Sequence, residues 1–226
     1  MTIRLIGCLL AGFLALSSTI SAATRLPLPV NQKQTVTLSN DVGPNLCKFL
    51  SSAPLEEFEG TADGISGSFT VDPSNLEATS GRIQVTVASM RTGITRRDEH
   101  LRSPDWLDAE RYPTISFDVR ELKEVRISEQ SRDRATLTAK AVGTFTLHGV
   151  SKPMELPITL TYVLESPETR KRAPGDFVMV QSEFTISLRD FNIRGRQGII
   201  GSRVGETIRV WVTLYGSTAA SPTGAR

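Results

Sequence analysis

The chain has 226 residues, with 26 Lys and Arg against 24 Asp and Glu, a net charge of +2. Such an even balance argues against nucleic acid as the main partner. Two cysteines, Cys8 and Cys47, leave little scope for a disulfide framework, so stability has to come from an apolar core.

Residues 1–23 read as a secretory leader: Arg4 supplies a positive start, residues 5–16 an apolar run, and Ser21-Ala22-Ala23 a small-residue cleavage site. The apolar run is shorter than the ~20 residues a spanning helix needs, so cleavage and release to the periplasm or the exterior are expected. The domain is then expected over 24–215, followed by a loose Ser-, Thr-, Ala- and Gly-rich tail over 216–226. Cleavage would leave Cys47 alone, either buried or joining two chains.

Most of the remaining chain alternates between apolar and polar residues with the period of a strand. Strands are expected at 35–39, 47–52 and 67–71, then around Ile83, Val85 and Val87, and around Ile115, Phe117 and Val119. Further strands are expected at 135–147, 154–164, 177–188 and 208–214. Gly143 marks an expected bulge or sharp bend, and Pro157, which cannot donate to a sheet ladder, an edge or a bulge. Turn chemistry separates these stretches at Asp72-Pro73-Ser74-Asn75, His148-Gly149 and Pro174-Gly175-Asp176. Arg170-Lys171-Arg172 reads as a solvated loop, with contact to an anionic surface as the lesser reading. No long amphipathic helix is present to cover the dry faces, which favours closure of the strands into a barrel.

A dense charged insert, 91–113, interrupts the pattern. Thr95 and Asp98 are spaced as a capping box, and Ser103-Pro104-Asp105 has the form of a second helix start. Ile94, Leu101, Trp106 and Leu107 are the apolar residues expected to press the insert onto one end of the barrel. His100, with Asp98, Glu99 or Asp108 to orient it, is the candidate general base, but no nucleophile motif accompanies it. His100 and His148 alone, without cysteine partners, do not make a metal site, and no cofactor is expected.

The insert resembles the signature of the YceI-like family: Thr92-Gly93, Arg97-Asp98, His100-Leu101, Ser103, Asp105-Trp106-Leu107-Asp108-Ala109, Tyr112-Pro113, Ile115 and Phe117 fall at its positions. The stretches 143–153 and 184–193, and Val204-Gly205-Glu206, are similar to later blocks of the same family. The chain departs from it at 46–60, where members usually carry a His-Ser pair. The resemblance implies an all-β fold, an extended antiparallel lipocalin-like barrel of about eight strands with a short helical insert. It also implies a long apolar cavity, a periplasmic or secreted location, a polyisoprenoid or other lipid-like ligand, and no catalytic residues.

The leading expectation is therefore a non-catalytic carrier of a hydrophobic chain, with transient membrane-surface contact as a secondary partner. Expected wall positions are Ile83 and Val85; Ile115 and Phe117; Phe145 and Leu147; Met154, Leu156, Ile158, Leu160 and Tyr162; Phe184 and Ile186; Val210 and Val212. Two other readings stay open on sequence grounds: a hydrolase or isomerase acting on such a lipid through His100, and a solid-core interaction module. Alternation cannot distinguish a lined barrel from a filled one.

Overall fold

The structure is a computed structural model that describes residues 23–219; the expected leader, 1–22, and residues 220–226 lie outside the described residues. Its strands are β1 (Gln34–Leu38), β2 (Leu46–Ala53), β3 (Glu56–Ala62), β4 (Ile65–Val71), β5 (Ser80–Thr86), β6 (Thr114–Gln130), β7 (Arg134–Leu147), β8 (Val150–Val163), β9 (Phe177–Ser187) and β10 (Thr207–Ser217). All named pairings are antiparallel, in the order β1-β4-β5-β6-β7-β8-β9-β10-β2-β3, and β1 also pairs with β10. That last pairing closes eight strands into a barrel. β1 occupies only the C-terminal end of the β10 edge, Leu38 opposite Gly216, while β2 occupies the rest, Ile208 to Thr213 opposite Ser51 to Leu46. The β2–β3 hairpin is thus an extra pair of strands let into one half of the wall.

β3 has no counterpart in the expected strands. Glu56, Glu57 and Glu59 hide it in the sequence, and its outer edge is held by one bridge, Thr61 to Arg91, instead of a full ladder. An edge strand rich in charge resists pairing with a second chain. β6 runs eleven residues past the expected stretch, because irregularities in its pairing with β7 keep resetting the phase. Ile115, Phe117 and Val119 face inward, then Leu122, then Val125 and Ile127; Glu124, at φ 53°, lies inside the second irregularity. β10 continues through Gly216 to Ser217, whose side chain is buried, so the expected tail begins too early by two residues.

Gly143 does not bend β7. It pairs directly with Val119, and the extra residue is Arg120 on the neighbouring β6. What Gly143 provides is close approach: a Cβ there would stand 2.2 Å from the Asp118 carbonyl oxygen. Gly143→Ala is expected to lower the urea midpoint by the equivalent of about 1–3 kcal/mol, since backbone has to move; an unchanged midpoint would refute this reading. Pro157 behaves as an edge residue: β8 pairs with β7 along its whole length but with β9 only from Ile158 onward. His148 and Gly149, at φ 51° and 72°, form the two-residue turn between β7 and β8, where positive φ at both positions matches the strand twist.

Two apolar clusters divide the interior. One fills the end that carries Leu26, Leu28, Val36, Leu76, Leu137 and Tyr162, where residues 24–30 plug the barrel. The other surrounds Phe145, which meets Phe184 and Phe191 edge-on at 6.0 and 5.6 Å under the insert.

Candidate functional site: an apolar cavity with a charged mouth

Between the two clusters the barrel is hollow, with a cavity of ≈ 360 Å³. This is at the lower end of the ~300–1,000 Å³ typical of small-molecule sites. Every expected wall residue faces it except Met154 and Tyr162. Met154 is half-buried and packs against the cluster beneath the insert. Tyr162 is fully buried at the plugged end, where its hydroxyl donates to Asp176 Oδ2 at 2.7 Å. Burial, aided by the Asp176 carboxylate, pushes this phenol far above its ordinary range. β8 is longer than the cavity is deep, so its alternation continues past the hollow into the plug.

Further wall comes from segments whose alternation is masked. Phe49 and Phe58 arise from the β2–β3 hairpin, Phe69 from β4, and Leu122 from beyond the first irregularity of β6. Cys47 also faces the cavity, and burial raises its thiol to about 11, so it is protonated at neutral pH and a poor nucleophile. The 188–206 segment adds Leu188, Ile193, Ile199 and Val204. Glycine and arginine dominate its sequence, and nothing in that composition signals a wall.

The insert covers the other end. Helix α1 (Thr95–Arg102) forms as expected, but not with the expected caps. Ile94 is its N-cap residue, and Asp98 reaches past Thr95 to accept from the Thr92 amide at 2.7 Å and its hydroxyl at 2.6 Å. Ser103 does not open a second helix. It ends α1, its amide and hydroxyl both donating to the His100 carbonyl at 3.0 and 2.7 Å. The Leu107 and Asp108 amides then turn back to the Leu101 and Ser103 carbonyls, and Asp108 at φ 47° excludes a continuing helix. Leu101, Trp106 and Leu107 do press onto the barrel and reach the cavity, whereas Ile94 is 50 % exposed.

Among the described residues, charge enters the cavity only here. Arg97 on α1 donates to Glu56 Oε1 at 2.5 Å, joining the insert to the β2–β3 hairpin, and its guanidinium stacks 4.4 Å over the Phe58 ring. His100 and Arg203 complete the polar rim. Among the described residues the His100 imidazole makes no hydrogen bond, and Asp98, one of its candidate orienters, is turned to Thr92. His148 serves structure, its Nδ1 3.1 Å from the Phe191 carbonyl and its ring edge-on to Tyr112. Among the described residues no cluster of His, Cys, Asp or Glu is arranged to hold a metal, and no helix is long and apolar enough to cross a membrane. Arg170 and Lys171 lie far from this rim, at the opposite end, where Glu165 and Glu168 pair with them at 2.6 and 2.8 Å.

A closed antiparallel barrel with a hollow apolar middle and one polar mouth defines a lipocalin-like protein. A family model described as YceI-like domain matches residues 46–215. Protein YceI of Escherichia coli O6:H1 is 32% identical over 151 residues, 67% of this chain and 71% of that protein. A UPF0312 protein of Pseudomonas putida strain W619 is 30% identical over 136 residues, 60% of this chain but 64% of its own length. The chain belongs to the YceI-like family. Its fold is also that of Burkholderia cenocepacia BcnA, at 17% identity and a TM-score of 0.59 over 79% of this chain and 98% of that one. A polyisoprenoid binding domain from Saccharophagus degradans gives 14% identity and a TM-score of 0.58 over 82% and 99%.

Proposed function

We propose that the protein is an exported, non-catalytic carrier that holds one polyisoprenoid or other lipid-like chain inside the barrel. The observation that carries this reading is the distribution of polarity in the cavity. Walls of Ile, Val, Leu and Phe surround its middle, and the polar groups Glu56, Arg97, His100 and Arg203 stand at one end. An amphiphile matches that distribution when its chain lies among the apolar strands and its head group at α1, where polar atoms find partners. Family membership and the polyisoprenoid binding described for the Saccharophagus domain support the same ligand class. The leader-like 1–23 supports export to the periplasm or beyond.

Native mass spectrometry of freshly purified protein, followed by solvent extraction, tests the reading. The expected result is a co-purified lipid that extraction removes and added prenyl chains replace. Absence of both co-purified lipid and uptake would overturn the carrier. Turnover of an added lipid that disappears in His100→Ala would instead establish the hydrolase or isomerase reading.

A further inference from the structure

The plugged end of the barrel holds a carboxylate contact that nothing in the carrier function requires. Glu77 lies in the one-turn 3-10 helix Leu76–Ala78, between β4 and β5, and is absent from the cavity wall. Both of its carboxylate oxygens are directed at a single residue: Oε2 accepts from the Thr24 main-chain nitrogen at 2.9 Å, and Oε1 from the Thr24 hydroxyl at 2.6 Å. The contact spans 53 residues of sequence. Around it the strap is fastened by backbone bonds, the Leu76 amide to the Thr24 carbonyl at 2.9 Å and the Leu26 amide to the Pro73 carbonyl at 2.8 Å. Leu26 and Leu28 then enter the core of the plugged end. Burial pushes the Glu77 carboxyl up, but hydrogen bonds from the Thr24 hydroxyl, from its own main chain and from the Thr24 nitrogen together hold it below its ordinary value.

Thr24 is also the residue that follows Ser21-Ala22-Ala23, the small-residue site of the leader-like segment. We propose that Glu77 is the receptor for the free amino terminus created when the leader is removed, so that export processing completes the closed end of the barrel. Hydrolysis of the Ala23–Thr24 amide by a leader-cleaving peptidase consumes one water, leaving a carboxylate on Ala23 and an ammonium on Thr24. At the same position a neutral amide with one N–H becomes a cation with three. A hydrogen bond to the carboxylate thereby becomes a charge-assisted ion pair, of the shorter and stronger kind. The uncleaved chain can make the neutral contact; only the processed one makes the ionic contact. The inference rests on the export part of the proposed function and on no property of the cavity.

Two measurements test it. The intact mass of the exported protein is expected to correspond to a chain beginning at Thr24; an uncleaved chain overturns both this inference and the export on which it rests, whereas a chain cleaved elsewhere overturns this inference alone. A four-way stability comparison then pairs the processed protein and a leaderless form that retains Ala22 and Ala23, each with and without Glu77→Gln. Freeing Thr24 is expected to raise the folding equilibrium constant about tenfold with Glu77 present, and to change it little once Glu77→Gln has put a neutral amide in place of the carboxylate. Equal stabilities of the two wild-type forms, or a gain that survives Glu77→Gln, would overturn the inference while leaving export intact. Uptake of a prenyl chain, measured in parallel, reports separately on the carrier reading because Glu77 is not in the cavity wall.

Discussion

Affinity for unbranched alkyl chains is expected to rise about fourfold for each added methylene and then to level off. The slope follows from transfer of a CH₂ from water to an apolar wall at about 0.8 kcal/mol. The plateau follows from the ≈ 360 Å³ of the hollow and from the packed cluster around Leu137 and Tyr162 that blocks its far end. Titrating a homologous series of chains that share one head group measures both quantities. A series without slope would mean that the head group alone binds at the rim and the apolar walls are not used. A slope that never saturates would mean that the chain lies on the outside of the protein.

The second large effect separates stability from capacity. Tyr162→Ala is expected to cost about 3–5 kcal/mol of folding stability, because it empties a fully buried site and leaves Asp176 without one of its donors. Chain affinity in the folded variant should change less than about threefold, since Tyr162 is outside the cavity wall. Phe145→Ala is expected to behave in the opposite way. Its ring touches Phe184 and Phe191 but also faces the hollow, so truncation enlarges an existing space, and the plateau of the chain series should move to longer chains. Urea unfolding with a matched chain titration distinguishes the two. Equal shifts of plateau in both variants would contradict the division of the interior into a plug and a hollow.

The strands that build most of the wall are legible in the sequence because alternation is a direct record of a one-sided dry face. Ile83 with Val85, Ile115 with Phe117, and Val210 with Val212 all stand where that rule puts them. Alternation carries no information on depth, which is why Tyr162 continues the pattern of Leu156, Ile158 and Leu160 yet lies in the plug. It also fails where the phase is reset, as at Leu122, and where one face is charged on an edge, as in β3. The capping signals in the insert name correct residue types but the wrong partners. Asp98 could satisfy Thr95 or Thr92 by spacing, and only the path of the chain before α1 selects Thr92. The 188–206 segment contributes wall through turns fixed by distant contacts, such as the Leu55 amide on the Ser202 carbonyl, which no local pattern encodes.

The shared edge of β10 makes the barrel a funnel. Eight strands close the plugged end through β1, and the β2–β3 hairpin widens the circumference only toward the mouth. Because barrel diameter grows with strand number, one end can be narrow enough for side chains to fill while the barrel stays hollow toward the end that the insert covers. The hairpin is therefore a panel whose length and lining set the volume available to a guest, independently of the joint that keeps the cylinder shut. Its Phe49 and Phe58 can vary in size without disturbing the pairing of Thr37 and Leu38 with Ser217 and Gly216.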